Sequence, residues 1–445
     1  MNQIKKNDKT SNNLIRIMLV FMSLVPFFEI NIVRKIFTFN VGVYVLPIVW
    51  VMLFLVVLLL AVWQIKRVNI FKAPTYTKNI IIITVILFFI SLIRNLSAID
   101  SKTGFVHIAY FFLPILYAVI LSSILIKTDK DNDKTLLTFI YLFATYVVLN
   151  IIINIIFYDY SFFDASKMDR LISPGGGPVI FGYSIALVYS VLFYIRKKIS
   201  VKKYVILAII LIIGAFFTKS RGAMWSVTIL TFISIIANKN SRTNILIFSA
   251  ALVLVPILYL MIQDFVPRFF LFEDSSRTNT LINSFKIFSK YDLVEILTGK
   301  GLGQLFQYNQ YIENRTLGWT LNLFNYQGYE LLVQPHNTWL YILMEQGFAG
   351  LVLMTFVIFV IPFFLNKNTD RRIEMFVFIG TFLFLNIFDS ILMIDPGSSA
   401  MWWFILIMVV TNLEVKTDVF KSSFFEDKNH DLKGLCDVSV IVEPK

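Results

Sequence analysis

Cysteine is all but absent from this chain: there is one in 445 residues, Cys436, in the polar segment after Leu413. That excludes a disulfide framework and a thiolate metal cluster. Histidine is nearly as scarce, with only His107, His336 and His430. Aspartates one residue apart, the pair that holds the metal in many sugar transferases, are missing from the segments read below as outer loops, where Asp159, Asp164 and Asp169 stand five apart. Stretches of about ten residues with alternating polarity are absent, which excludes a transmembrane β-barrel. No small-residue cleavage site follows the first apolar run, so the basic, polar stretch from Met1 to Arg16 leads into a retained helix. Internal repeats and inverted halves are lacking too.

What the chain does have is apolar residues: 57% are hydrophobic and 16% aromatic, and the mean hydropathy is +0.74. Runs of about 20 such residues recur, a length that spans the hydrocarbon core of a bilayer. The sequence predicts an all-α polytopic membrane protein with about 12 transmembrane helices, at 14–31, 41–63, 79–96, 105–126, 135–158, 179–195, 204–218, 222–238, 244–262, 338–365, 373–389 and 399–413. The net charge of +12 reflects topology and not a nucleic-acid partner, because clusters such as Lys66 and Arg67, Arg196 to Lys198, and Arg371 and Arg372 fall on alternate loops. Such loops face the cytoplasm. Residues 1–262 therefore hold helices 1–9, 263–335 form one large extracytoplasmic loop, 336–413 hold helices 10–12, and 414–445 form a cytoplasmic tail.

A loop of that length is functional or disordered, and its aromatic and aliphatic content predicts a folded one. Ser275 or Ser276 can cap a helix with Leu281, Phe285 and Phe288 on one face, suited to lying on the membrane. Arg277 would sit in its first turn, where free N–H groups also favour anions. The glycine run at 299 to 303 has no βαβ unit around it, so it predicts a backbone turn approaching substrate or membrane.

Where the loop meets the next apolar helix stands Gln334-Pro335-His336-Asn337-Thr338-Trp339-Leu340, followed by Glu345, Gly347 and Gly350. An imidazole there suits proton chemistry on an anionic substrate; it would equally cap a helix or bind a carbonyl. Glu345, about 900° and 13 Å further along a continuous helix, would face away from it. Gly347 and Gly350 read as small residues at a helix crossing. Positive charge is depleted on the outer side, so Arg170, Arg221 and Arg277, each beside a turn or helix start, call for a reason. A guanidinium fork matches phosphate oxygens, although ion pairs with Asp169 or Asp274, or snorkelling, also fit. The outer acids Asp389 and Asp395 have no role legible in sequence.

The run His336-Asn337-x-x-Leu340 with Glu345-x-Gly347-x-x-Gly350 resembles the signature of the O-antigen ligase and O-antigen polymerase superfamily. Ser220-Arg221-Gly222 resembles that family's short motif at the outer end of an earlier helix, and the loop carrying Arg277 and Gly299-Lys300-Gly301-Leu302-Gly303 fits it as well. These motifs extend over roughly half the chain; the rest is similar only in spanning the membrane many times. The resemblance implies metal-independent, cofactor-free transfer of a glycan from undecaprenyl pyrophosphate to a hydroxyl, at the outer face of the cytoplasmic membrane. It implies a lipid-linked oligosaccharide substrate, the lipid bilayer, and other polysaccharide assembly proteins (a flippase, a chain-length regulator) as partners. On this reading His336, Arg221 and Arg277 are catalytic, and Arg170, Ser220, Asn337 and Gly301 bind substrate.

Overall fold

The computed structural model describes residues 13, 15–25, 38–41, 44–47, 74–96, 101–128, 132–157, 171, 177–237, 275–304, 323–326, 329–332, 335–365, 371–394 and 396–412. Almost all of these are helical. The helices are α1 (Ile15–Leu24), α2 (Thr75–Leu96), α3 (Ser101–Thr128), α4 (Asn132–Phe157), α5 (Gly177–Tyr194), α6 (Val201–Phe217), α7 (Arg221–Ile236), α8 (Ser275–Phe288), α9 (Leu293–Thr298), α10 (Thr338–Leu365), α11 (Arg372–Phe388), α12 (Ile391–Ile394) and α13 (396–412). Among the described residues, five stretches are long and apolar enough to cross a membrane: α2, residues 104–126 of α3, α4, α5 and α10.

Among the described residues two small antiparallel hairpins accompany the helices without changing the all-α class: β1 (Thr38–Val41) with β2 (Tyr44–Pro47), and β3 (Leu323–Tyr326) with β4 (Tyr329–Leu332). The first overlaps the start of the span expected at 41–63. Its Phe39, Val41, Tyr44 and Val45 are aromatic or β-branched, which suits paired strands. The rest of that span, and the one at 244–262, lie outside the described residues.

α5 and α13 are the centre of the bundle. α5 is apolar on every side, the pattern of a fully enclosed helix, and each residue from Phe181 to Tyr194 is buried. They run in the same direction, since Trp402 Nε1 donates to Ser184 Oγ (3.2 Å) near one end and Tyr194 O–H to the Val409 carbonyl (3.4 Å) near the other. α11 runs the opposite way beside α5, and Phe382 meets Trp402 with ring centroids 5.3 Å apart.

Ion pairs identify one end of this bundle. Arg371 holds Asp133 with two bonds of 2.7 and 2.8 Å, and Asn412 donates to the same carboxylate. Glu374 receives Arg196 at 3.1 Å and Lys197 at 2.9 Å. The start of α4, the end of α5, the start of α11 and the end of α13 thus meet at a basic end. The end of α11, the start of α5 and the turn before α7 lie at the other, about 25 Å away along a 17-residue helix.

Candidate active site

Among the described residues only two other than glycine have left-handed backbone, Lys219 and His336, both with φ 49°. Such conformations cost about 1–3 kcal/mol and cluster at functional sites. Both lie at the end of the bundle opposite the ion pairs, in the two turns that the sequence motifs mark.

His336 precedes the N-cap of α10. Asn337 Oδ1 accepts the Leu340 N–H at 2.9 Å, as an N-cap should, and the Asn337 N–H donates to Ser390 Oγ at 3.0 Å. The next residue ties α10 to the end of α11. The buried Thr338 hydroxyl lies 2.8 Å from Asn386 Oδ1 and 2.9 Å from the Asp389 carbonyl oxygen. This clasp brings the Asp389 carboxylate to His336, with 3.6 Å between Oδ1 and Nδ1. That separation is too long for a hydrogen bond and short enough for an ion pair with the protonated ring. Nδ1 is buried and has no hydrogen-bond partner among the described residues, and the Ser390 N–H fixes the carboxylate at 2.8 Å. A carboxylate at one ring nitrogen orients the imidazole, leaving the other nitrogen for proton exchange.

The Lys219 turn comes to this end because Gly222 lets α7 press against α5: a Cβ there would stand 2.6 Å from the Tyr183 ring. Ser220 is buried at the N-cap of α7 and its N–H donates to Thr218 Oγ1 at 3.3 Å. Arg221, half-buried, is the first residue of α7. Arg277 falls in the first turn of α8, as expected. Arg170 lies outside the described residues, as does Asp395.

Gly301 belongs to a third feature. α10 is broken at Gly347, whose φ of 67° and ψ of −168° leave the helix. The glycine run fills the break: the Lys300 N–H donates to the Met344 carbonyl (3.1 Å), the Gly301 N–H to the Glu345 carbonyl (2.9 Å), and the Gly303 N–H to Glu345 Oε1 (2.9 Å). Arg94 Nε–H donates to the Gly299 carbonyl at 2.9 Å. The contact is backbone on backbone, since a Cβ at Gly299 would lie 2.2 Å from the Glu345 carbonyl. Gly347 is therefore a helix break and also the close crossing expected of it, since a Cβ there would stand 2.4 Å from the Leu297 backbone of α9. Glu345 indeed turns away from His336, and what it holds is the loop.

Residues 299–304 also close over Asn95 and His107, both buried, a grouping the sequence did not suggest. α8 and α9 pack on the first turns of α10 through Ile287, Tyr291, Leu340 and Met344, and an Asp292–Glu295 capping box starts α9. Of the expected α8 face, Leu281 and Phe288 join this packing while Phe285 is exposed. Asp389, Asn386 and Ser390 complete the His336 site, and of these the sequence singles out only Asp389, as an outer acid.

Compared with known proteins, the chain matches no protein-family model and no curated protein.

Proposed function

We propose that the protein is a membrane glycosyltransferase that joins undecaprenyl-pyrophosphate-linked oligosaccharide repeat units into a surface polysaccharide (O-antigen, capsule or exopolysaccharide) at the outer face of the cytoplasmic membrane. The observation that carries this reading is the His336–Asp389 pair at the end of the bundle to which α7 also brings Ser220 and Arg221. An acceptor sugar hydroxyl would give its proton to His336 as its oxygen bonds to the anomeric carbon of the donor. The bond from that carbon to the pyrophosphate oxygen breaks, and undecaprenyl pyrophosphate leaves with inverted configuration at carbon. Arg221 and Arg277 would take up the charge of the leaving group. The full topology would be about twelve spans with both termini and the basic end of the bundle in the cytoplasm.

A transporter of the same lipid-linked glycan is favoured by one observation, the break of α10 at Gly347, because discontinuous helices recur at transporter binding sites. Incubating the purified protein with one lipid-linked repeat unit separates the readings. Polymerase activity gives a ladder of lengths. A single transfer to another acceptor indicates a ligase, and unchanged substrate in a protein that moves it across vesicles indicates a flippase.

A further inference from the structure

The outward surface of α8 and α9 is apolar where an extracytoplasmic loop should be polar. Ile282, Phe285, Leu293, Val294 and Leu297 are 45%, 52%, 72%, 55% and 51% exposed. These side chains are not needed for docking on α10, which Ile287 and Tyr291 accomplish from the other face against Leu340 and Met344. Large apolar patches of this kind mark an interaction site. The chain itself indicates the partner. Phe288 meets Phe348 of α10 with centroids 6.4 Å apart, and Phe348, Val352 and Phe356 (44%, 61% and 45% exposed) continue the same surface down a helix long and apolar enough to cross a membrane. What covers that stripe of α10 covers α8 and α9 as well.

Level and charge agree with a lipid partner. α9 crosses α10 beside Met344 to Gly347, and α10 with 28 residues is about 42 Å long against a hydrocarbon core of about 30 Å. Several residues at its start are therefore free to lie in the headgroup layer, and α9 falls at the boundary with the acyl chains. Lys286 and Lys290 are exposed on the same unit, placed to reach anionic headgroups.

We propose that α8 and α9 form a monotopic seat in the bilayer, with Leu293, Val294 and Leu297 in the acyl-chain boundary and Lys286 and Lys290 among the headgroups. The loop rests on lipid and does not stand in water above it. The seat is independent of the reaction assigned above.

Because Cys436 is the only cysteine, Cys436→Ser supplies a background for a single environment-sensitive fluorophore. The full chain carrying Val294→Cys, and separately Leu297→Cys, is labelled and reconstituted in vesicles of phosphatidylethanolamine and phosphatidylglycerol. Both sites are exposed, so labelling leaves the core intact. A lipid carrying a shallow doxyl group should remove most of the emission at either position and iodide little, whereas a label at Lys290→Cys should respond to iodide. Quenching by iodide at Val294 and Leu297 would overturn the proposal by placing the face in water. Resistance to both quenchers would overturn it by placing protein over the face. Neither result depends on whether the protein makes polymer.

Discussion

Gly299→Ala tests whether the glycine run is held to α10 as described. The added Cβ would lie 2.2 Å from the carbonyl carbon and oxygen of Glu345 and 2.3 Å from the Gln346 nitrogen, all backbone atoms that cannot rotate away. The residue would also keep φ near 76° with ψ near 179°, a region open essentially to glycine alone, at a cost of about 1–3 kcal/mol. The alternative is for the run to lift from the break. That gives up two backbone bonds, at about 1 kcal/mol each, and two bonds to the charged groups Glu345 and Arg94, at about 1.5–3 kcal/mol each. These are net values, already set against bonds to water, so a relaxation that keeps half of the bonds still loses about 3 kcal/mol, a substantial part of a typical folding free energy. We expect the apparent melting midpoint in detergent, followed by tryptophan fluorescence, to fall by about 3 °C or more. Gly380→Ala is the control, since nothing lies within 4 Å of the Cβ it adds in the middle of α11 and helix propensity favours the change. If the two variants melt alike and make polymer alike, the backbone contact between the run and α10 does not exist as drawn.

Three further outcomes follow from the site. His336→Gln should fold and insert normally yet lose about 100-fold to 10,000-fold in polymer formation, the usual contribution of a general base; near-parental activity would make His336 structural. Asp389→Asn keeps an oxygen for the Ser390 N–H, so melting should stay near parental while the rate falls by about tenfold or more through loss of imidazole orientation; parallel loss of stability and rate would refute this. Arg221→Lys keeps the charge and loses the fork, and a drop of about tenfold at equal protein level is expected, with full activity assigning Arg221 to topology instead.

The long helices were legible because an uninterrupted apolar run fixes both type and length, and α2, α3, α4, α5 and α10 appear where such runs stand. The face each helix turns inward was not. Lipid and protein core are equally apolar, so Leu281 and Phe288 could be grouped with Phe285 by spacing alone, although α10 covers only the first two. His336 and the Lys219 turn were marked by chemistry and position. Asp389 was visible as an acid at a helix end, but its approach to His336 across 53 residues arises from the Thr338 clasp, which no local pattern encodes. The break at Gly347 has no local signature because its partner, the glycine run, is distant in sequence.

The break divides α10 into two rods with separate attachments. The upper rod, about nine residues long, is fastened at its foot to residues 299–304 and at its head to the last turn of α11. The lower rod belongs to the bundle. If the joint at Gly347 flexes, His336 does not move away from Asp389, because the hydroxyl of Thr338 grips the backbone of the aspartate itself. Imidazole and carboxylate would travel as one cartridge, and what changes is their height over the bilayer. Residues 299–304, by gripping the foot of that rod, would act as the screw that sets this height, so changes in their seating would move the pair and leave its internal geometry untouched.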